Sequence, residues 1–253
     1  MLATTLTGPA TDTPPLLIAH GLFGSARNWN VIAKRLSDSR QVVTVDMRNH
    51  GTSPRYPSQG YAEMAGDLAE VIAAHGGRAD LLGHSMGGKA AMVLALAHPD
   101  LLRRLVVADI APVAYGHSQS HLIEAMRGVD LIGITTRRDA DLQLAGAVHE
   151  EGVRAFLLQS LDVKARRWRL NLDVLDADMD AITGWPEGIT GRFDGPTLML
   201  SGAVSDYVLR GHRPTIRSHF PAARFAKIHG AGHWLHADKP REFEAAVRVF
   251  LDA

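Results

Sequence analysis

The sequence predicts an α/β fold: a mostly parallel, twisted sheet flanked by helices, with an all-helical segment inserted between two strands. Three observations carry that prediction. Short apolar runs bounded by turn residues alternate with helical patterns, which is the spacing of βαβ units. The runs are continuous instead of alternating, as strands covered by helices on both faces require. Between about Val113 and Arg192 no strand-like run occurs and helical patterns take over.

The strand candidates, in order, are Leu16–Ala19, Val42–Val45, Asp80–Leu82, Leu105–Ala108, Thr197–Leu200 and Arg224–Ile228. Most stop at Gly, Asp, Ser or His, residues that suit loops at the carboxyl edge of a sheet. Helices are predicted between them over Asn28–Leu36, Tyr61–Ala74, Lys89–Ala97 and Arg241–Leu251, the last with Pro240 at its first turn. In the inserted stretch the helical patterns are His121–Met126, Asp139–His149, Val153–Leu161 and Trp168–Ile182. The reading divides the chain into a core, 1–112 with 193–253, and a helical cap, 113–192. A cap is expected because ligands of open α/β sheets bind outside the carboxyl ends of the strands.

Composition narrows the function. The 253 residues carry 27 Lys+Arg against 27 Asp+Glu, so the chain lacks the positive field that a nucleic-acid partner would need. With no cysteine there is no disulfide, zinc–thiolate site or thiol nucleophile. No basic n-region followed by an apolar run opens the sequence, and no apolar stretch approaches the ~20 residues of a membrane span. A cytoplasmic enzyme without a membrane span is the expectation; the oligomeric state is not legible.

Gly83-His84-Ser85-Met86-Gly87 is a G-x-S-x-G pattern set between a predicted strand and a predicted helix. That is the context of a nucleophile elbow, where a strained turn exposes a serine and its neighbours must be small. A serine hydroxyl needs a base to take its proton. His233, in the Gly-flanked loop Gly230-Ala231-Gly232-His233-Trp234, follows the last strand and is the candidate. His229, His233 and His236 lack the helix-borne H-E-x-x-H or the carboxylate of a metal site, so no metal or cofactor is expected, and His229 and His236 read as hydrogen-bonded loop residues. Two aspartates could orient the imidazole: Asp109, directly after a strand, and Asp206, one step past Ser205, where a hydrolase acid commonly stands. Residue spacing leaves both open. The oxyanion needs two backbone donors, for which the N–H groups of Met86 and of Leu22, in the loop His20-Gly21-Leu22-Phe23-Gly24, are the candidates.

Taken together, His20–Ser25, Val45-Asp46-Met47-Arg48-Asn49-His50-Gly51, Gly83–Lys89, Asp109-Ile110-Ala111-Pro112, Trp168-Arg169-Leu170-Asn171 and Gly230–Ala237 resemble the α/β-hydrolase superfamily, and at closer range the small bacterial YbfF-type carboxylesterases and their eukaryotic relatives. The likeness runs from about Pro15 to the end; the first residues are shorter than the family's opening hairpin, so it does not carry over to a first strand. The resemblance implies a Ser-His-Asp triad, with Asp109 favoured over Asp206 because family members keep a small polar residue where Ser205 stands. It also implies hydrolysis of acyl esters, or thioesters, through an acyl-serine, with Asp46, Arg48 and His50 structural. C–C bond hydrolysis and cofactor-free perhydrolysis use the same triad, and a ligand-binding receptor with residual turnover is the reading from another class. Pocket walls are expected from Phe23, Met126, Leu131, Phe156, Leu157, Trp168, Trp185 and Trp234. Arg166, Arg167 and Arg169 form a basic cluster that either contacts a phosphate-bearing acyl carrier or is a solvated face.

Overall fold

A computed structural model describes residues 1–253. Seven strands form the main sheet: β1 (Thr4–Thr7), β2 (Leu16–Ala19), β3 (Val42–Val45), β4 (Ala79–His84), β5 (Leu102–Ala108), then, beyond a two-stranded ribbon of β6 (Leu161–Asp162) and β7 (Arg167–Trp168), β8 (Thr197–Gly202) and β9 (Ala223–Ile228). Their spatial order is β1-β3-β2-β4-β5-β8-β9, parallel throughout except for β1, which runs antiparallel to β3. The chain steps outward from β2 to β3 and then back across to β4. Ligands of such sheets bind where the order reverses, outside the carboxyl ends of β2 and β4.

Why the runs are continuously apolar is visible in the packing. Along β2, Leu16 and Ile18 face one way with Val42 of β3, Leu82 of β4 and Val106 of β5, while Leu17 and Ala19 face the other with Val43, Leu81 and Val107. The first set is covered by α1 (Asn30–Leu36), through Ile32 and Leu36, and by α11 (Pro240–Asp252), through Phe243, Val247 and Phe250. The second is covered by α2 (Tyr61–Ala74) and α3 (Met86–Ala97). Period-two alternation with both faces buried leaves no polar face on the central strands.

Between β5 and β8 lie α4 (Ser120–Arg127), α5 (Arg137–Leu144), α6 (Glu151–Leu157), α7 (Leu172–Ala177) and α8 (Met179–Thr183). Short α9 (Arg213–His219) and α10 (Leu235–Asp238) complete the set. The α2/α3 apolar cluster runs on into this segment through Ile123, Met126, Leu157 and Leu175, so the segment shares the core of the sheet. One expectation is corrected and one open point is settled. The segment is not all-helical: Trp168, placed in a helix by periodicity, stands in β7, which returns against β6 through a turn containing Arg166 at φ +50°. The first strand is present, as edge strand β1; its half-exposed Thr-Thr-Leu-Thr offers no apolar run to detect.

No helix is long and apolar enough to cross a membrane.

Candidate active site

Ser85 leaves β4 at φ +51°, ψ −119°, a backbone conformation outside the ordinary helical and extended regions, and α3 begins at the next residue. The turn is possible because its flanks lack side chains: a Cβ at Gly83 would stand 2.3 Å from the Gly87 carbonyl oxygen, and one at Gly87 would stand 2.4 Å from that of Ala19. The start of α3 therefore lies directly against the end of β2 and the loop that leaves it.

Asp109 ends β5 in the same manner, at φ +53°, and is completely buried. A buried carboxylate needs donors, and three are supplied. Its Oδ1 accepts the Gly202 backbone N–H at 3.0 Å, while its Oδ2 accepts from the Ser205 hydroxyl and from His233 Nδ1 at 2.8 Å. On the other side of the ring, His233 Nε2 meets Ser85 Oγ at 3.1 Å. Because Nδ1 donates to Asp109, Nε2 is the unprotonated nitrogen of the neutral ring and faces the serine as an acceptor. The imidazole is stacked on Tyr207 at 3.9 Å, and the His233 carbonyl accepts from His84 Nε2 at 2.8 Å, so both ring and loop are held. Burial keeps His84 neutral by pushing its pKa well below the ordinary value.

The loop after β2 is fixed by two further neutral histidines. His20 Nδ1 donates to the Gly21 carbonyl at 2.8 Å, leaving Nε2 to accept the Met47 N–H at 2.9 Å. His50 Nδ1 donates to the Arg48 carbonyl at 2.8 Å and its Nε2 accepts the Phe23 N–H at 3.1 Å. Burial, reinforced by His20, pushes the pKa of His50 down to about 3. The neighbouring Phe23 N–H is thus occupied, whereas the Leu22 N–H makes no hydrogen bond within the chain. Met86, as the first residue of α3, presents an N–H that the helix itself does not use. Asp46 and Arg48 brace the adjoining loop: Asp46 accepts from the N–H groups of Ala26 and Thr52, both at 2.8 Å, and Arg48 grips Asp67 through two bonds of 2.6 and 3.0 Å.

Over Ser85 and His233 lies a chamber of about 270 Å³, walled by loops of the sheet and by Leu122, Val153, Phe156, Ile182 and Thr183 of the inserted segment. Leu22, Phe23, Met86, Phe156 and Trp234 are among its lining, and Phe156 and Trp234 face each other at 5.4 Å. Other expected wall residues stand elsewhere. Trp168 donates its indole N–H to the Met126 carbonyl at 2.8 Å, and the two side chains are buried inside the segment's own packing. Trp185 leans on His219 instead, and neither Leu131 nor Leu157 reaches the chamber. Asp206 is exposed and makes no bond to His233. The arginines 166, 167 and 169 also stand outside; Arg169 pairs with Asp162 at 2.8 Å, and the other two are exposed. Nor are His229 and His236 hydrogen-bonded loop residues: His229 is exposed, while His236 is buried flat against Trp29 at 4.1 Å with its Nδ1 unpartnered. Sequence reasoning missed Lys89, Tyr61, Tyr115 and Tyr207, all of which line the chamber, and the hydroxyl that Ser205 gives to Asp109.

The arrangement can deprotonate a serine, hold the resulting imidazolium against a buried carboxylate and offer two free N–H groups nearby. The chain is similar to known proteins in sequence and fold. Residues 14–240 match the model of a family described as alpha/beta hydrolase fold. The chain is 43% identical over 251 residues to the zebrafish (Danio rerio) sn-1-specific diacylglycerol lipase ABHD11, covering 95% of this chain and 79% of that protein. It is 40% identical over 244 residues to the esterase YbfF of Escherichia coli, covering 95% and 94%. Among solved structures, a marine microorganism esterase superposes with a TM-score of 0.92 at 37% identity, covering 99% of this chain and 100% of that one. The chain belongs to the alpha/beta hydrolase fold family, among its carboxylic ester hydrolases.

Proposed function

We propose that this enzyme cleaves short to medium acyl esters through an acyl-serine intermediate, with Ser85 as nucleophile, His233 as general base and acid, and Asp109 as the orienting carboxylate. The observation that carries the reading is the continuous line from Asp109 Oδ2 to His233 Nδ1, 2.8 Å, and from His233 Nε2 to Ser85 Oγ, 3.1 Å. Ser85 Oγ attacks the ester carbonyl as its proton passes to His233 Nε2, and Asp109 stabilises the imidazolium that forms. The oxyanion of the tetrahedral intermediate is held by the N–H groups of Leu22 and Met86, worth about 3–4 kcal/mol each in the transition state. Collapse expels the alcohol, which takes its proton from His233. Water, deprotonated by the same imidazole, then attacks the acyl-serine and releases the acid, returning the proton to Ser85.

Residues 113–192 act as a cap that shapes the chamber, through Leu122, Val153 and Phe156 on its apolar side. Thioesters fit the same chemistry, but the arginines 166, 167 and 169 do not line the chamber, so a phosphate-bearing leaving group would meet them only outside it. The test is turnover of an aryl ester by the enzyme and by Ser85→Ala, with mass spectrometry of the protein after brief exposure to substrate. Loss of turnover together with loss of an acyl adduct on the peptide containing Ser85 is expected; undiminished turnover by Ser85→Ala would overturn the assignment.

A further inference from the structure

Tyr61, Lys89 and Tyr115 line the chamber, yet none has a part in the chemistry assigned to Ser85. All three converge on the last turn of α8, where the inserted segment returns toward the sheet. The Tyr61 hydroxyl donates to the Ile182 carbonyl at 2.5 Å, and the Tyr115 backbone N–H donates to that of Thr183 at 3.0 Å. The Lys89 ammonium donates to the Thr183 carbonyl at 2.8 Å and to the Gly184 carbonyl. The last carbonyls of a helix have no partner within it, so these groups complete the end of α8 from outside.

Lys89 is an unusual choice for that work. It is 1% exposed and forms no ion pair; beyond the two carbonyls it meets the faces of Tyr115, at 4.8 Å, and Tyr61, at 5.7 Å. Burial drives its pKa down to about 7, a direct sign of what the position costs the charged form. An apolar side chain on α3 would fill the space without that penalty but would leave the Gly184 carbonyl without its donor and the Thr183 carbonyl with the Tyr115 N–H alone. Lys89 lies one turn along α3 from Ser85, since its N–H donates to the Ser85 carbonyl at 3.0 Å. The nucleophile and the seat of α8 are thus built on the same helix. Ile182 and Thr183 themselves form part of the chamber wall, so where this turn sits decides how far the chamber extends.

We propose that Lys89, seconded by Tyr61, is a specificity-determining residue: it holds the last turn of α8 as a wall of the chamber and so limits the length of acyl chain the enzyme accepts. The proposal rests on the reading of the chamber as the substrate site of Ser85. Lys89 acts through the position of Ile182 and Thr183 and touches no reacting atom, which makes it a positioning residue for the wall.

The experiment measures kcat and KM for a series of 4-nitrophenyl esters, from acetyl to dodecanoyl, with the full-length enzyme, Lys89→Met and Tyr61→Phe. Lys89→Met is expected to move the optimum by about two methylenes toward longer chains, in a pocket where each methylene is worth roughly tenfold or more. The shift appears as a lowered KM for the longer chains, with kcat at the optimum within about threefold, because the groups at Ser85 are untouched. Tyr61→Phe, which removes one hydroxyl, shifts the profile in the same direction by less. If Lys89→Met fails to fold, Tyr61→Phe decides alone. A profile that falls by one common factor at every length, or that does not shift in Tyr61→Phe, overturns the proposal. Absence of ester turnover by the unsubstituted enzyme would overturn the active-site reading as well.

Discussion

In the sheet, charge is buried and matched at once: Asp80 is wholly buried at the start of β4, where it accepts from Arg40 at 3.1 Å and from Arg103 Nε at 2.8 Å, and the equally buried Asp109 accepts from three donors. In the segment between β5 and β8 a charged cluster stands at the surface: Arg127 reaches Asp176 at 2.7 Å and Asp173 at 2.8 Å, with the Asp173 carboxylate 91% exposed. The two arrangements differ in what a substitution does. Removing one partner of a buried set strands the other without water, whereas a surface pair is already solvated and screened. The sheet therefore holds its chemical groups in one geometry, and the segment between β5 and β8 can change its exposed charges at little cost to folding.

Four measurements test that contrast. The largest effect is expected at Asp109, where Asp109→Asn should lower kcat by about 10⁴-fold through loss of the correct tautomer of His233, while exposed Asp206→Asn changes it by less than about threefold. Equal losses in the two variants, read from ester turnover, would remove the distinction between buried and exposed carboxylates. Next is Asp80→Asn, which leaves buried Arg40 with Asp252 as its one carboxylate partner and takes the carboxylate from Arg103, and should lower the free energy of unfolding by about 3 kcal/mol in a urea titration. A change below about 1 kcal/mol, the size of a surface pair, would contradict the burial argument.

The third concerns pH. Burial holds His50 and His236 at pKa values of about 3, far below the ordinary histidine value, so both are neutral in the fold. The unfolded chain takes up protons that these sites refuse. Their contribution to stability is therefore complete above about pH 6.5 and is lost progressively as pH falls toward about 3. Urea midpoints taken through that window should decline, and His50→Gln should flatten part of the slope; parallel curves for the two proteins would rule His50 out as a source. The smallest effect belongs to the inserted segment. Arg127→Ala, despite its three acidic neighbours Glu124, Asp173 and Asp176, should change stability by no more than about 1 kcal/mol.

How much of this was readable beforehand follows from the kind of constraint each residue obeys. The elbow announces itself because backbone crowding at Gly83 and Gly87 admits no side chain, and such a requirement shows in residue identity. Asp109 and His233 stand at strand ends where their types are chemically distinctive, although choosing Asp109 over Asp206 needed the family resemblance. Met126 and Trp168 were misplaced for a different reason. Periodicity shows that a helix has an apolar face, and it is silent on whether that face meets a substrate chamber or its own neighbours. Lys89 escaped because a lysine amid Ala, Met, Val and Leu reads as a solvated position on an otherwise buried helix. Ser205 stands where a hydrolase acid is common, and its part is to donate to one, a role that residue type alone does not announce.

Ser85 and Asp109 share a further property through their backbone. The Ser85 N–H donates to the Ala108 carbonyl at 3.0 Å and the Asp109 N–H to the Leu200 carbonyl at 2.9 Å, so each is the last rung of the ladder joining its strand to the next. His233 belongs to no ladder; it hangs from a loop secured by His84 and by the stacked ring of Tyr207. In amide exchange the first two residues should open only with the whole sheet, while the His233 loop opens locally and at lower free energy. Mild denaturant should accordingly silence the enzyme before its sheet begins to melt, and dilution should restore activity at the rate of a loop closing instead of a domain refolding.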